Sequence, residues 1–478
     1  MHLIPDTWTH FHILVSVFPS IGLLLTTGIY IGAFITGNDG IKRTGMLAFA
    51  LLGLLSIPTY FSGDFSVAAL RAVDKDVTDD AIWWHWAWGW AGLTTLALTG
   101  IAAIYEYQRS GKTGRICKDM AHLVLGLALI TLGLMAVLGE FGWEIRHHEL
   151  NLAAKVNNIV SAGDVPQGIG TSQAWSHVHM ILNHFPTVGF VVALGFFIMG
   201  LMQKNDGMKR SALVLFTIGG VLGAPTYATG AAAMWALTDP MPILGVTKAS
   251  IDAHRDMAAL SLFGLAATGV SAWIALWRYR YLAVFTDRMM YIVLTLGVIT
   301  LGLMAETGHR GGMINHPEIR TEALPQSSAA FFSPQVELLI NNVIWFVPWQ
   351  TVHFFGYSLV FGTVMAVVLR VLGFWKSVPF SAVHRFLPLG VFGVVMNVFT
   401  GMLMLMADTF RYVNENSFTP KMWFLPIGAI TVIYFSLSDS LWEVKAGDDA
   451  PIAAKYVAVI VLIAWVGVIM GGRLLPYV

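Results

Sequence analysis

The chain has 478 residues, of which 56% are hydrophobic and only 12% charged, and its formal net charge is zero. A soluble domain carries about twice that charge fraction, and neutrality removes the electrostatic case for nucleic acid. The single cysteine, Cys117, excludes disulfides within the chain, thiolate-held Fe–S clusters and covalent c-type haem, which needs Cys-x-x-Cys-His.

Met1 to His12 carries no Lys or Arg and no cleavage pattern. It does not read as a secretory signal, so the first apolar stretch is expected to stay in the mature protein. A membrane span needs about 20 mostly apolar residues. Hydropathy predicts twelve, near 11–35, 42–62, 83–106, 119–139, 178–202, 209–234, 254–277, 287–306, 345–370, 381–407, 421–440 and 453–474. The expected fold class is all-α, a polytopic integral membrane protein of about 12 transmembrane helices in three four-helix modules. Loops after odd-numbered spans hold 17 of the 28 basic residues, including Arg109, Lys112, Arg115 and Lys118. The positive-inside rule places them in the cytoplasm. The expected location is the bacterial inner membrane, with both termini periplasmic and membrane lipid as a partner.

On this map the histidines are one-sided. His122 and His384 fall on the inner side. The other thirteen lie outside or in the outer half of a span: His2, His10, His12, His85, His147, His148, His177, His179, His184, His254, His309, His316 and His353. Ligand-capable groups near a bilayer are costly unless partnered, so such a cluster points to a functional site.

The chain also repeats itself. At an offset of 167, Trp8-Thr-His10-Phe-His12 matches Trp175-Ser-His177-Val-His179, and Pro58-Thr-Tyr60-x-x-Gly63 matches Pro225-Thr-Tyr227-x-x-Gly230. At an offset of 169, His85 matches His254, Thr131-Leu-Gly-Leu-Met-Ala136 matches Thr300-Leu-Gly-Leu-Met-Ala305, and His147 matches His316. Each copy has four spans, so both enter the membrane from the same side and form a parallel repeat. The expected domains are repeat 1 at 1–165, repeat 2 at 166–320, an outer linker at 321–344 and a third four-helix module at 345–478.

His179, His184-Phe185-Pro186, His254 and Gly311-Gly312 followed by His316 form a recognisable pattern. On it, residues 175–320 resemble an uncharacterised bacterial family of four-helix membrane domains. Residues 8–150 resemble a diverged copy, with Val17 in place of the second histidine and Trp143 in place of one glycine. Residues 350–425 resemble another uncharacterised bacterial membrane family, through Val352-His353, Leu369 to Gly373, Thr400-Gly401, Asp408 and Phe418 to Lys421. These resemblances imply the architecture and supply no activity.

For the histidines the sharpest reading is b-type haem, whose iron takes neutral imidazoles from two helices of a bundle. His12 pairs with His85, and His179 with His254, as iron ligands of two haems, one per repeat. His10 and His12 lie about 200° apart around a helix, so only one faces a given site. His177 and His184, seven residues apart, can bracket a second cofactor or a propionate. His147 and His316 can cap the site from the loops. His309, with Arg310 and Arg255, can hold propionates. His353 is a deeper candidate, for a third haem or a quinone; with no obvious partner in the outer half of span 10, a buried, hydrogen-bonded histidine is the preferred reading. Two competing readings stay open: interfacial histidines within an aromatic belt, and zinc or copper without haem. The methionines 135, 304, 402, 404 and 406 read as packing groups.

The functional expectation is a membrane-bound b-type cytochrome subunit. It relays electrons between the quinone pool and a periplasmic redox partner, either a c-type cytochrome or an Fe–S or molybdenum subunit. The alternatives are a non-redox membrane scaffold and a transporter for a metal or small solute.

Overall fold

The computed structural model describes residues 7–36, 39–73, 77–146, 178–238, 246–320, 333–340, 342–415 and 417–474. Twelve helices among them are long and apolar enough to cross a membrane. In chain order they are α1 (Trp8–Phe34), α2 (Asp39–Ala72), α3 (Asp79–Thr113), α4 (Lys118–Gly142), α5 (Val178–Met202), α6 (Asp206–Met234), α7 (Lys248–Leu282), α8 (Asp287–Ile314), α9 (Phe346–Leu372), α10 (Phe380–Ala407), α11 (Phe418–Leu437) and α12 (Ile452–Leu474). The protein is an all-α polytopic membrane protein.

Several helices overrun the apolar stretch that marks them in the sequence. The reason is capping chemistry, which hydropathy does not register. The Thr78 hydroxyl accepts the Ala81 N–H ahead of α3, and Thr247 and Ser250 cap each other's backbone ahead of α7. Gly114, at φ +68°, ends α3 in the left-handed conformation that glycine tolerates. Within α1 the ladder widens to a π turn at Phe18–Gly22, where Pro19 supplies no N–H. Helices α2 and α6 run through Pro58 and Pro225.

The two copies pack by the same contacts. A Cβ on Gly53 of α2 would meet the Leu96 carbonyl of α3 at 3.1 Å and the Gly100 Cα at 3.4 Å. Its counterpart Gly220 of α6 would meet the Leu265 carbonyl of α7 at 2.9 Å and the Gly269 Cα at 3.2 Å. Small residues at these crossings let the two backbones touch, which is how helices associate without a hydrophobic drive between them. The next helix is joined by paired hydroxyls, Thr99 to Thr131 at 3.2 Å and Thr268 to Thr300 at 3.0 Å.

The chain divides into two compact units. One is Met1–Gly170 with Thr187–Ala212 and Gly308–Leu324, and the other is Thr171–Pro186 with Leu213–Thr307 and Pro325–Val478. In the first, α1 to α4 pack in sequence around Leu23, Tyr30, Phe49, Leu96 and Val124. In the second, α7 is fastened to the third module. The Trp277 indole donates to the His384 carbonyl at 3.3 Å, the Tyr281 hydroxyl meets His384 Nδ1 at 3.0 Å, and Arg280 bonds the Ser436 carbonyl at 2.6 Å and pairs with Asp439. Met135, Met304, Met402 and Met406 are buried packing groups.

Large apolar side chains such as Leu54, Ile101 and Ile130 stay exposed along the helices, and in a membrane protein that surface meets lipid. Trp8, Trp83, Trp84, Trp86 and Trp90 are exposed too, and Trp83 and Trp84 pack edge to face at 4.7 Å. Tryptophans are enriched where membrane helices meet the membrane–water boundary.

The connections of the third module are tied by charge. Arg370, fully buried, donates to the carbonyls of Val378, Lys445 and Asp448. Asp449 lies 2.9 Å from Lys455 and 3.3 Å from Lys376. Those two ammonium groups hold its carboxyl below the usual carboxylate range. A depressed folded pKa means that this tie contributes fully above the unfolded aspartate pKa, near 3.9, and is lost as pH falls through the lower folded value. Asp449→Asn is therefore expected to lower thermal stability slightly at pH 7. The gap from the parent protein should close in acid, below about pH 3. A gap independent of pH would mean that the carboxylate contributes nothing through its charge.

Candidate cofactor-binding histidine pairs

His12 leaves α1 and reaches α2. Its Nδ1 lies 3.0 Å from the Thr59 carbonyl and 3.1 Å from Ser62 Oγ. His179, its counterpart on α5, reaches α6 in the same way, 3.0 Å from the Thr226 carbonyl and 3.3 Å from Thr229 Oγ1. On the other side of each site, His85 of α3 reaches the Leu138 carbonyl of α4 at 3.3 Å, and His254 of α7 reaches the Thr307 carbonyl of α8 at 3.1 Å. All four rings are half-buried between helices.

These contacts fix the chemistry. A carbonyl oxygen only accepts, so each Nδ1 must carry the proton and donate it. In the neutral imidazole the proton therefore sits on Nδ1, and Nε2 presents a lone pair. A second-side hydrogen bond to a carbonyl is the usual way to orient a ligating histidine. The two rings of each pair are near enough to interact electrostatically, His12 with His85 and His179 with His254, and His184 adds to the second pair.

Glycines make room for the rings. A Cβ on Gly63 would meet His12 Cε1 at 3.1 Å, and one on Gly230 would meet His179 Cε1 at 2.7 Å. On the opposite side, a Cβ on Gly142 would meet His85 Cε1 at 3.0 Å. This explains the repeated motif Pro-Thr-Tyr-x-x-Gly. Its threonine lends the carbonyl that receives the histidine, and its glycine seats the ring. The tyrosine adds something the sequence reading passed over. The hydroxyls of Tyr60 and Tyr227 are both buried and have no hydrogen-bond partner among the described residues. The signal was present in the sequence, since both tyrosines stand in the matched motif.

The other candidates are placed as follows. His10 does not face the His12 site; its ring lies 6.3 Å from that of His309. His184 Nδ1 is bonded within its own helix, to the Met180 carbonyl. His316 opens the short turn Pro317–Ile319, with its N–H on the Gly312 carbonyl at 2.7 Å. Arg255 pairs with Asp252 at 3.4 Å. His147 and His177 lie outside the described residues. His353 is hydrogen-bonded, as the preferred reading of it expects: its Nδ1 lies 2.8 Å from Thr400 Oγ1 of α10. His384 has both ring nitrogens engaged, by Tyr281 and by Ser436, and is a structural group.

No family model matches the sequence, and no curated protein or solved structure matches it at a significant level. The functional argument therefore rests on the site's own chemistry.

Proposed function

We propose that the chain is a b-type cytochrome subunit of an electron-transfer complex, with one haem between His12 and His85 and a second between His179 and His254. One observation carries the reading. Twice in the chain, two imidazoles on different helices lie close enough to interact electrostatically, each with its Nδ1 turned to a backbone carbonyl.

The donor set suits porphyrin iron, because the macrocycle supplies four ligands and the protein two. Zinc sites call for three or four protein ligands, and no group of three or more His, Cys, Asp or Glu gathers among the described residues. The hydroxyls of Tyr60 and Tyr227, from the same motif that braces His12 and His179, are buried without partners among the described residues and suit a carboxylate such as a propionate. When bound, haem supplies one-electron chemistry, and the protein supplies ligands, dielectric and docking.

The one-sided histidines and the positive-inside assignment favour lateral transfer along the periplasmic side of the inner membrane, with both termini outside. A quinone in the bilayer and a periplasmic c-type cytochrome or Fe–S or molybdenum subunit are the partners this reading requires, since one cysteine cannot hold such centres in this chain.

The test is an optical spectrum of the purified protein, oxidised and then reduced with dithionite. Bis-imidazole haem gives a Soret band and sharp reduced α and β bands, with about two haems per chain by pyridine haemochrome. A colourless, iron-free preparation would leave a helical membrane scaffold and end the redox reading.

A further inference from the structure

The last two helices pack on glycine. A Cβ on Gly467 of α12 would strike the Phe424 ring of α11, and one on Gly471 would meet Lys421 Cβ and the Ser417 carbonyl, both at 2.9 Å. Ser417, Lys421 and Phe424 are spaced to share one face of α11, so that face lies directly on the α12 backbone. The Lys421 side chain then runs along α12 towards its end. Its ammonium stands 3.6 Å from where a Gly472 Cβ would be.

This ammonium lacks what a charge in that position needs. It is half-buried near the end of a membrane span, where an ionised group is costly unless partnered. It belongs to the first turn of α11, where the helix dipole is already positive and no acid is present. It has no hydrogen bond or ion pair among the described residues, and Glu415, the nearest acid in the sequence, does not reach it. Ser417, one turn away on the same face, is uncommitted as well. It stands at the N-cap of α11 without capping it, is only 7% exposed, and its hydroxyl has no hydrogen-bond partner among the described residues. Buried polar groups are normally satisfied. An ammonium, a hydroxyl donor and a helix N-terminus at one end of the α11–α12 seam all call for an anion.

The surroundings define its class. The end of a span lies at the depth of the lipid head groups. Pro420 and Arg473 are exposed at the rim of the seam. Trp423 and Ile427 of α11 and Met470 of α12 are exposed along the helices, where acyl chains lie. With Lys421 and Arg473 at one end of the seam and no acid in the first turn of α11, the rim complements a head group of net negative charge.

We propose that the seam between α11 and α12 binds the phosphate of an anionic phospholipid, with the Lys421 ammonium and the Ser417 hydroxyl donating to its oxygens. Gly471 and Gly472 leave the room that the lysine stem needs to reach it. A zwitterionic lipid carries its own counter-charge beside the phosphate and gains less from the lysine. The site does not depend on the histidine pairs.

The experiment is native mass spectrometry of the purified full chain, titrated with phosphatidylglycerol and with phosphatidylcholine of the same acyl chains. One phosphatidylglycerol should be retained per chain, bound about tenfold more tightly than phosphatidylcholine. Lys421→Met should weaken that binding about tenfold and Ser417→Ala about threefold, while Lys421→Arg should keep most of it. Lys112→Met, which removes an exposed lysine of α3, should change nothing. Helicity by circular dichroism confirms that each variant folds, and the smaller change Ser417→Ala decides the matter if Lys421→Met does not. Equal retention of the two lipids, retention indifferent to Lys421 and Ser417, or the same loss in Lys112→Met overturns the proposal. Displacement of the lipid by inorganic phosphate overturns it too, since the site would then take the free ion.

Discussion

A His179→Ala protein is expected to keep its fold and lose about half of its Soret absorbance per chain, and His12→Ala the same, while the double variant becomes colourless. The expectation follows from the geometry of the braces. Each pair lies within one group of four helices, and its two rings are held by carbonyls of different helices. Those carbonyls belong to helical ladders and lose only a supplementary donor when the ring is removed. The substitution therefore removes a ligand without leaving a costly unsatisfied group. Iron held by one imidazole loses the low-spin bis-histidine signature or leaves the protein altogether. His122→Ala is the control, since that ring packs against Phe34 at 5.2 Å and should leave the spectrum alone. If either single variant abolished all absorbance, or neither changed it, the assignment of one haem to each pair would be wrong.

The second large effect is expected at a residue with no chemistry of its own. Gly230→Val retains both His179 and His254, yet should empty the second site. A Cβ at position 230 would stand 2.7 Å from His179 Cε1 and 3.0 Å from its Nδ1, closer than real Cβ contacts come. The ring cannot retreat without breaking its bond to the Thr226 carbonyl, which sets the tautomer. Overpacking of this kind costs about 1–3 kcal/mol in a closed core. Here the ring can swing away from the brace instead, so the loss should fall on haem content more than on stability. The matching change Gly63→Val meets His12 at 3.1 Å and should have a milder effect. Haem stoichiometry measured beside the thermal unfolding midpoint separates the two costs. A Gly230→Val protein that unfolds early with full haem would show the glycine serving helix packing rather than the ring.

Much of this architecture was legible in the sequence. Twelve apolar stretches gave twelve helices, because in a bilayer backbone polar groups must be satisfied within the helix. The repeat was legible because both copies kept the same side chains at the same spacing. The nearness of His12 to His85 was expected from alternation of the helices, and the different surroundings of His10 and His12 from helical angle alone. What the sequence concealed was the other half of each histidine's environment. A carbonyl brace belongs to the backbone and has no residue identity, so Thr59, Leu138, Thr226 and Thr307 carry no common signature. The tyrosine hydroxyls were visible as letters in a motif, but their lack of partners is a property of packing.

The shift of offset from 167 to 169 falls between Gly230 and His254, after one histidine with its brace and before the next. Duplication has therefore been followed by a change of length that spared both halves of the lock. Histidine, receiving carbonyl and, on α2 and α6, seating glycine have been inherited as a single rigid cassette. The stretch joining the second helix to the third was free to lengthen because nothing in the grip is measured across it.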